Sequence, residues 1–319
     1  MKRLILLVTV VAALCFHTNA EPTYAERLGW PEGARVLMIH ADDAGMSHAS
    51  NEGIIATLDA GTVTSFSIMM PCSWVPEIAA YIKAHPDVCA GVHLTYTAEW
   101  DDYRWPPVAG RDAVPGLVDE NGFMHDNVPL VTEHATVEEI EKELRAQIAL
   151  AEKMGIPVSH MDSHMGTLFA NPEYLMVYVR IAIEKQIPVL IVGGHGTQLS
   201  AEMPDVLGAL RPIAEQIWAS GLPVLDDINT QSYAWKTLDK KAHFIDLIRN
   251  LKPGVTWANV HPTKPTEEGK AITNNRELLF GDYLSLIDPE VMEVIKEEGV
   301  ILTSWRELKE RRAAVGRSE

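Results

Sequence analysis

The stretch Arg35-Val36-Leu37-Met38-Ile39-His40-Ala41-Asp42-Asp43-Ala44-Gly45 decides the fold. An unbroken apolar run, Val36 to Ile39, leads into two adjacent carboxylates and a glycine. A short apolar run closed by turn chemistry reads as a strand covered on both faces, the kind that parallel sheets supply. A helical pattern follows over residues 50–60, making the pair a first β–α unit. The same alternation recurs along the chain. Candidate strands cover residues 35–40, 64–69, 90–95, 159–162, 188–192, 223–228, 256–260 and 300–303. Candidate helices cover 50–60, 76–85, 137–154, 172–185, 203–220, 240–251 and 289–297. This predicts an α/β fold, a closed or nearly closed (β/α) barrel of about seven to eight parallel strands in a single domain, with a doubly wound open sheet as the alternative.

The first 20 residues stand apart from that pattern. Lys2 and Arg3 precede an uncharged apolar run from Leu4 to Phe16, and Thr18-Asn19-Ala20 places short residues before Glu21. That order is a secretory signal peptide, too short for a spanning helix, which needs about 20 apolar residues. Cys15 raises a lipoprotein reading, but Leu14 stands where a small residue is required. Residues 21–319 are therefore expected as one exported domain, periplasmic or extracellular, with no stable membrane insertion once the signal is removed.

Without Lys2 and Arg3 the chain keeps 25 basic residues against 44 acidic ones, a formal charge of −19. Such a surface repels phosphate backbones and anionic headgroups, which excludes nucleic acid as a partner and leaves cations and neutral sugars. Homo-oligomers are compatible with the sequence. Cys72 follows one candidate strand and Cys89 precedes the next, near opposite ends of parallel neighbours. A strand spans roughly 17–20 Å and a disulfide needs Cα atoms within about 7 Å, so two free, buried thiols are expected.

The chemistry-bearing residues share one position in the pattern. Asp42 and Asp43 follow the first strand, His93 lies late in the third, Asp162 and His164 end the fourth, and His261 ends the seventh. In a β/α barrel all these ends face the same way. Two imidazoles and a carboxylate with an open position suit a catalytic divalent cation. The competing readings are local: the aspartates could cap the next helix, His93 could be a satisfied core histidine, and His261 could simply end its strand before Pro262. His160 reads as structural, and Asp162 as a carboxylate that orients an imidazole. His40, His48 and His195 have only their location near strand ends to support them. Asp226-Asp227, at the end of the sixth candidate strand, could hold sugar hydroxyls or cap the next element. Residues 97–132 carry Trp100, Tyr103, Trp105, several prolines and Asp119-Glu120-Asn121-Gly122 without a convincing helix. This is either a lid or sugar-stacking surface, or a loop packed on the barrel rim.

These motifs resemble one family. Ala41-Asp42-Asp43-Ala44-Gly45 with Asn51-Glu52-Gly53-Ile54, then Gly91-Val92-His93-Leu94, His160-Met161-Asp162-Ser163-His164 and Asn259-Val260-His261-Pro262, are similar in order to the motifs of the YdjC-like, or ChbG/HpnK-type, carbohydrate deacetylases. The resemblance implies a distorted barrel, one divalent metal ion (Mg or Zn), and hydrolysis of an N-acetyl group on an amino sugar or oligosaccharide. It implies Asp43, His93 and His164 as metal ligands, Asp42 as general base and His261 as general acid, with the two aspartate roles open to exchange. Two positions depart from the family pattern: further histidines give way to Met165-Gly166-Thr167, and the aromatic after the aspartates is Ala44. O-acetyl ester or other amide hydrolysis at the same metal, and a non-catalytic exported sugar-binding protein, are the alternative functions.

Overall fold

Residues 21–316 are described by a computed structural model, so the signal peptide expectation lies outside the described residues. The opening stretch forms strand β1 (Arg35–Ala44), which is longer than expected because both aspartates belong to it. β6 (Gly254–Val260) pairs along one flank of β1 in unbroken parallel register, from Arg35 opposite Gly254 to Ala41 opposite Val260. On the other flank β2 (Ser65–Ile68) pairs with the upper half of β1, and the short β7 (Ile301–Leu302) with the lower half. β3 (Ala90–Leu94), β4 (Met161–Ser163) and β5 (Asp227–Asn229) complete the order β4-β3-β2-β1-β6-β5.

Residues 188–192 form no regular strand, yet they close the ring. Met161 N donates to Pro188 O at 2.9 Å, and Leu225 N donates to Ile191 O at 3.1 Å. Backbone hydrogen bonds thus continue from β4 through 188–192 and Leu225 to β5 and β6, so the architecture is a distorted barrel and not an open sheet. The expected eighth strand is a wedge on β1 and takes no place in the ring.

Alternation along β1 explains its apolar character. Leu37, Ile39 and Ala41 pack into the large core beneath the surrounding helices, while Val36 and Met38 pack with Trp30, Leu225, Val255 and Trp257 in a second core. Both faces are covered, as in parallel sheets generally. Continuing up the second face, the column reads Val36, Met38, His40, Asp42, and on β6 it reads Val255, Trp257, Asn259 before His261. The barrel interior therefore changes from apolar to polar toward the C-terminal ends of its strands.

The helices are α1 (Tyr24–Arg27), α2 (His48–Asp59), α3 (Val75–Ala84), α4 (Val128–His134), α5 (Val137–Lys153), α6 (Pro172–Lys185), α7 (Thr197–Glu202), α8 (Pro204–Ala219), α9 (Lys241–Arg249), α10 (Glu267–Ile272), α11 (Arg276–Leu286), α12 (Pro289–Glu297) and α13 (Trp305–Val315). Among the described residues none is long and apolar enough to cross a membrane. α4 lies in the stretch that showed no helix pattern; Asn127 caps it and Pro129 sits in its first turn. In the same stretch Trp105 and Met124 are buried against Met46, Met69 and Cys72, so this part packs on the rim. Cys72 and Cys89 are free and buried, as expected. On α13 Arg312 is buried, its guanidinium 4.2 Å from the Trp218 ring.

Asp226 does not sit at the upper end of its strand. It lies below β5, where its carboxylate accepts hydrogen bonds from the backbone N–H groups of Tyr24 (2.8 Å), Ala25 (3.0 Å) and Val255 (2.8 Å). This clamps α1 across the bottom of the barrel. Asp226→Ala would strand these buried donors, each worth about 1–3 kcal/mol. The expected outcome is a loss of at least about 3 kcal/mol, seen as a lower urea midpoint with an unchanged m-value.

Candidate active site

Neighbouring residues on a regular strand point to opposite faces, so Asp42 and Asp43 could not share a cavity without a local break. The break is present. The β1–β2 register shifts between Ala41 and Ala44, and Asp43 takes a left-handed backbone conformation, φ 66°. Aspartate tolerates that region better than most residues, and the irregularity turns both carboxylates toward the interior. Neither caps a helix: Ser47 accepts the hydrogen bond at the start of α2.

Asp43 Oδ1 is buried without a hydrogen-bond partner, and both His93 Nε2 and His164 Nδ1 lie 3.4 Å from it. Each imidazole is held from behind by another carboxylate. His93 Nδ1 donates to Asp162 Oδ1 at 2.7 Å, and His164 Nε2 donates to Glu99 Oε2 at 3.0 Å. A carboxylate on one ring nitrogen places the proton there and leaves the other nitrogen's lone pair for a cation. Ligands about 2.1 Å from a tetrahedral cation sit about 3.4 Å apart, matching both separations. The donor set therefore fits a divalent metal. A second set, Asp42, His93 and Asp162, also converges, and within it His93 Nδ1 and Asp162 Oδ1 are hydrogen-bonded to each other at 2.7 Å.

Charge follows from this arrangement. Burial pushes the Asp43 carboxyl up, but His164, His261 and His93 outweigh it and hold the group below the usual carboxylate range. Burial lowers His164, whereas Glu99 and Asp43 together raise it to about 10. His93 is raised because Asp42 and Asp162 overcome its burial. His160 is pushed down by burial and by His40; it stacks on Trp305 with ring centroids 5.4 Å apart, consistent with a structural role.

Asp42 and His261 face each other beside this cluster. His261 Nε2 lies 3.5 Å from Asp42 Oδ2 and 2.9 Å from Tyr233 Oη. Asn259 Nδ2 donates to Asp42 Oδ2 at 3.3 Å, and His40 Nε2 lies 3.3 Å from Asp42 Oδ1. Burial lowers His261, but Asp42 and Asp43 more than compensate, and the imidazole is held above its ordinary range. Its backbone N–H donates to Asp282 Oδ2 at 2.8 Å, and Asp282 Oδ1 pairs at 2.7 Å with Lys240, both side chains fully buried. His261 is thereby fixed by an internal ion pair and is more than a strand terminator.

The glycines of the sequence motifs are explained by close approach. A Cβ on Gly53 would lie 2.2 Å from Pro262 O, so α2 can pack under the His261–Pro262 turn only without a side chain there. A Cβ on Gly91 would meet the His160 ring at 2.5 Å.

The YdjC-like protein family model matches residues 36–297. The chain belongs to the YdjC-like family. This YdjC-like chain is 31% identical over 291 residues to a carbohydrate deacetylase of Thermus thermophilus, covering 89% of this chain and 97% of that one. It is 25% identical over 275 residues to a carbohydrate deacetylase of Thermoanaerobacter pseudethanolicus, covering 86% of this chain and all of the relative. A crystal structure from Enterococcus faecalis, described as a cellobiose-phosphate cleavage protein, superposes with a TM-score of 0.72 at 26% identity, over 86% of this chain and 99% of that one.

In this YdjC-like chain Asp42, Asp43, His93, His164 and His261 lie together in one buried cluster at the strand ends. His195 does not: its Nε2 lies 3.1 Å from Pro253 O, at the barrel bottom. His48 stays on the rim with Glu52 and Glu77. Glu99, Tyr233, Lys240 and Asp282 went unrecognised in the sequence. Each is a single polar residue in an irregular segment or on a helix, with no periodicity or spacing to mark it. Glu99→Gln removes the charge behind His164 and is expected to weaken divalent-metal binding by about 10–100-fold, measured by calorimetric titration, with the circular dichroism spectrum unchanged.

Proposed function

We propose that this carbohydrate deacetylase removes an N-acetyl group from an amino sugar, using Asp42 as general base and His261 as general acid beside a divalent metal, Mg or Zn, held by Asp43, His93 and His164. The observation that carries the reading is the approach of His261 Nε2 to within 3.5 Å of Asp42 Oδ2, next to a ligand set whose imidazoles are each backed by a carboxylate. The metal, when bound, supplies Lewis acidity toward the amide oxygen and eases ionisation of water.

The chain's own groups do the rest. Asp42 Oδ2 accepts the proton of the attacking water as the new C–O bond forms. His261 Nε2 delivers a proton to the departing nitrogen as the C–N bond breaks, so that acetate and a free amine leave. His261 is suited to donate because the surrounding carboxylates favour its protonated form. Tyr233 Oη, 2.9 Å from the same nitrogen, steadies the ring. The chain is exported, and its signal is cleaved after Ala20; the charged start, apolar run and short residues before Glu21 support this.

Purified residues 21–319 are expected to release acetate from at least one N-acetylated glucosamine mono- or oligosaccharide, and a chelator should abolish the release until a divalent cation is restored. Asp42→Asn and His261→Gln are each expected to lower kcat by about 100- to 10,000-fold while metal stoichiometry stays unchanged. No acetate from any N-acetyl sugar with any divalent cation would overturn the reading, as would wild-type activity in Asp43→Ala. Amino-terminal sequencing of protein recovered outside the cytoplasm should begin at Glu21.

A further inference from the structure

The cavity over Asp42 and His93 extends sideways from the proposed reaction centre. Its volume is about 340 Å³, and its walls include Leu190, Ile228, Trp257 and Asn259. Apolar side chains form its mouth: Met165 is 51% exposed, Phe169 36% and Tyr233 45%. An apolar rim over a polar floor suits a pyranose, whose C–H face is apolar and whose edge carries hydroxyls. The volume lies at the low end for small-molecule sites, about 300–1,000 Å³, enough for one ring and too little for a chain.

Two floor groups lack partners. Trp257 is 2% exposed and its indole N–H has no acceptor; Asn259 is 7% exposed and its Oδ1 has no donor. An unpaired buried donor or acceptor costs about 1–3 kcal/mol, and such groups are found where a ligand completes them. The two residues alternate with Ala258 on β6, so they share its interior face with His261 above them. Trp305 also has an unpaired indole N–H, but its ring stacks on His160 and does not line the cavity. Trp257 alone among the described residues combines the orphan N–H with a place in the wall of the cavity.

We infer that Trp257 is a specificity-determining residue of a single-ring sugar subsite, its indole N–H donating to a hydroxyl of the pyranose that carries the acyl group, with Asn259 Oδ1 accepting from a neighbouring hydroxyl. The inference rests on the deacetylase reading above and adds to it the recognised unit, one terminal pyranose, and the groups that read it. Met165, which lines the cavity and is half exposed, gives the mouth its apolar edge.

The test uses the metal-loaded protein with N-acetylglucosamine and its monodeoxy analogues. Trp257→Phe keeps an aromatic face and removes only the N–H. It is expected to raise KM about three- to tenfold with kcat nearly unchanged. Wild type should reject one deoxy analogue that Trp257→Phe accepts as well as the parent sugar. A purely structural role for the indole predicts equal losses on every analogue, and that result would overturn the inference. Ile228→Trp, which fills the cavity from the β5 side, should raise KM at least as much with metal stoichiometry intact; a wild-type KM there would also overturn it. Should wild type release no acetate, the deacetylase reading fails separately. Calorimetric binding of the same sugars then decides the subsite: weaker binding by Trp257→Phe supports it, and equal binding refutes it.

Discussion

The backbone of Asp43 is the constraint on which the site depends. An ordinary strand would send one of two adjacent aspartates into the barrel and the other into the helical layer, where an unpaired carboxylate is costly to bury. The irregularity in β1 and the positive φ at Asp43 prevent that division. The conformation stores a small strain, on the order of 1–2 kcal/mol. It is sustained because β2 and β6 pair with β1 on either side, and because Gly45 N–H donates to Asn51 Oδ1 at 2.7 Å just beyond it. With both carboxylates inside, one can complete a ligand set and the other can remain free to move a proton.

Around this point charge is arranged in alternating sign. Asp162, His93, Asp43, His164 and Glu99 form a line in which each imidazole lies between two carboxylates. Buried carboxylates on their own would repel and protonate; beside the imidazoles Asp43 and Asp162 are held below the usual carboxylate range, and burial strengthens the coupling because water does not screen it. Asp42 and His261 stand aside from this line, with Asn259 and Tyr233 as their neutral partners. The Lys240–Asp282 pair lies deeper still and grips the His261 backbone. Such a pair is costly to desolvate and gives little net stability; here it fixes the orientation of one ring.

The fold was legible in the sequence where local rules act alone. Helix α6 was expected over 172–185 and is found there, because Asn171 caps it and Pro172 opens it; α12, over 289–297, follows the same logic with Asp288 and Pro289. The segment 188–192 looked like a strand and acts as one only through scattered bonds, since its neighbours at Met161 and Leu225 are offset along the barrel. Helix α4 was hidden because its short apolar pattern carries Pro129 and stands among turn residues. Asp226 was misplaced along its strand by a few residues, which moved it from the upper face to the lower one.

The sequence by itself determined the alternating β–α order, the strand ends where Asp42, Asp43, His93, His164 and His261 stand, and the family to which their motifs point. These are consequences of spacing along the chain, and spacing is read directly. Only the tertiary structure decided that Glu99 backs His164, that Tyr233 meets His261, that Lys240 and Asp282 hold it, and that Trp257 closes the cavity floor with an unpaired N–H. Those residues come from elements far apart in sequence, and a single polar side chain carries no periodicity. Their roles exist only because the closed barrel brings their elements to one end.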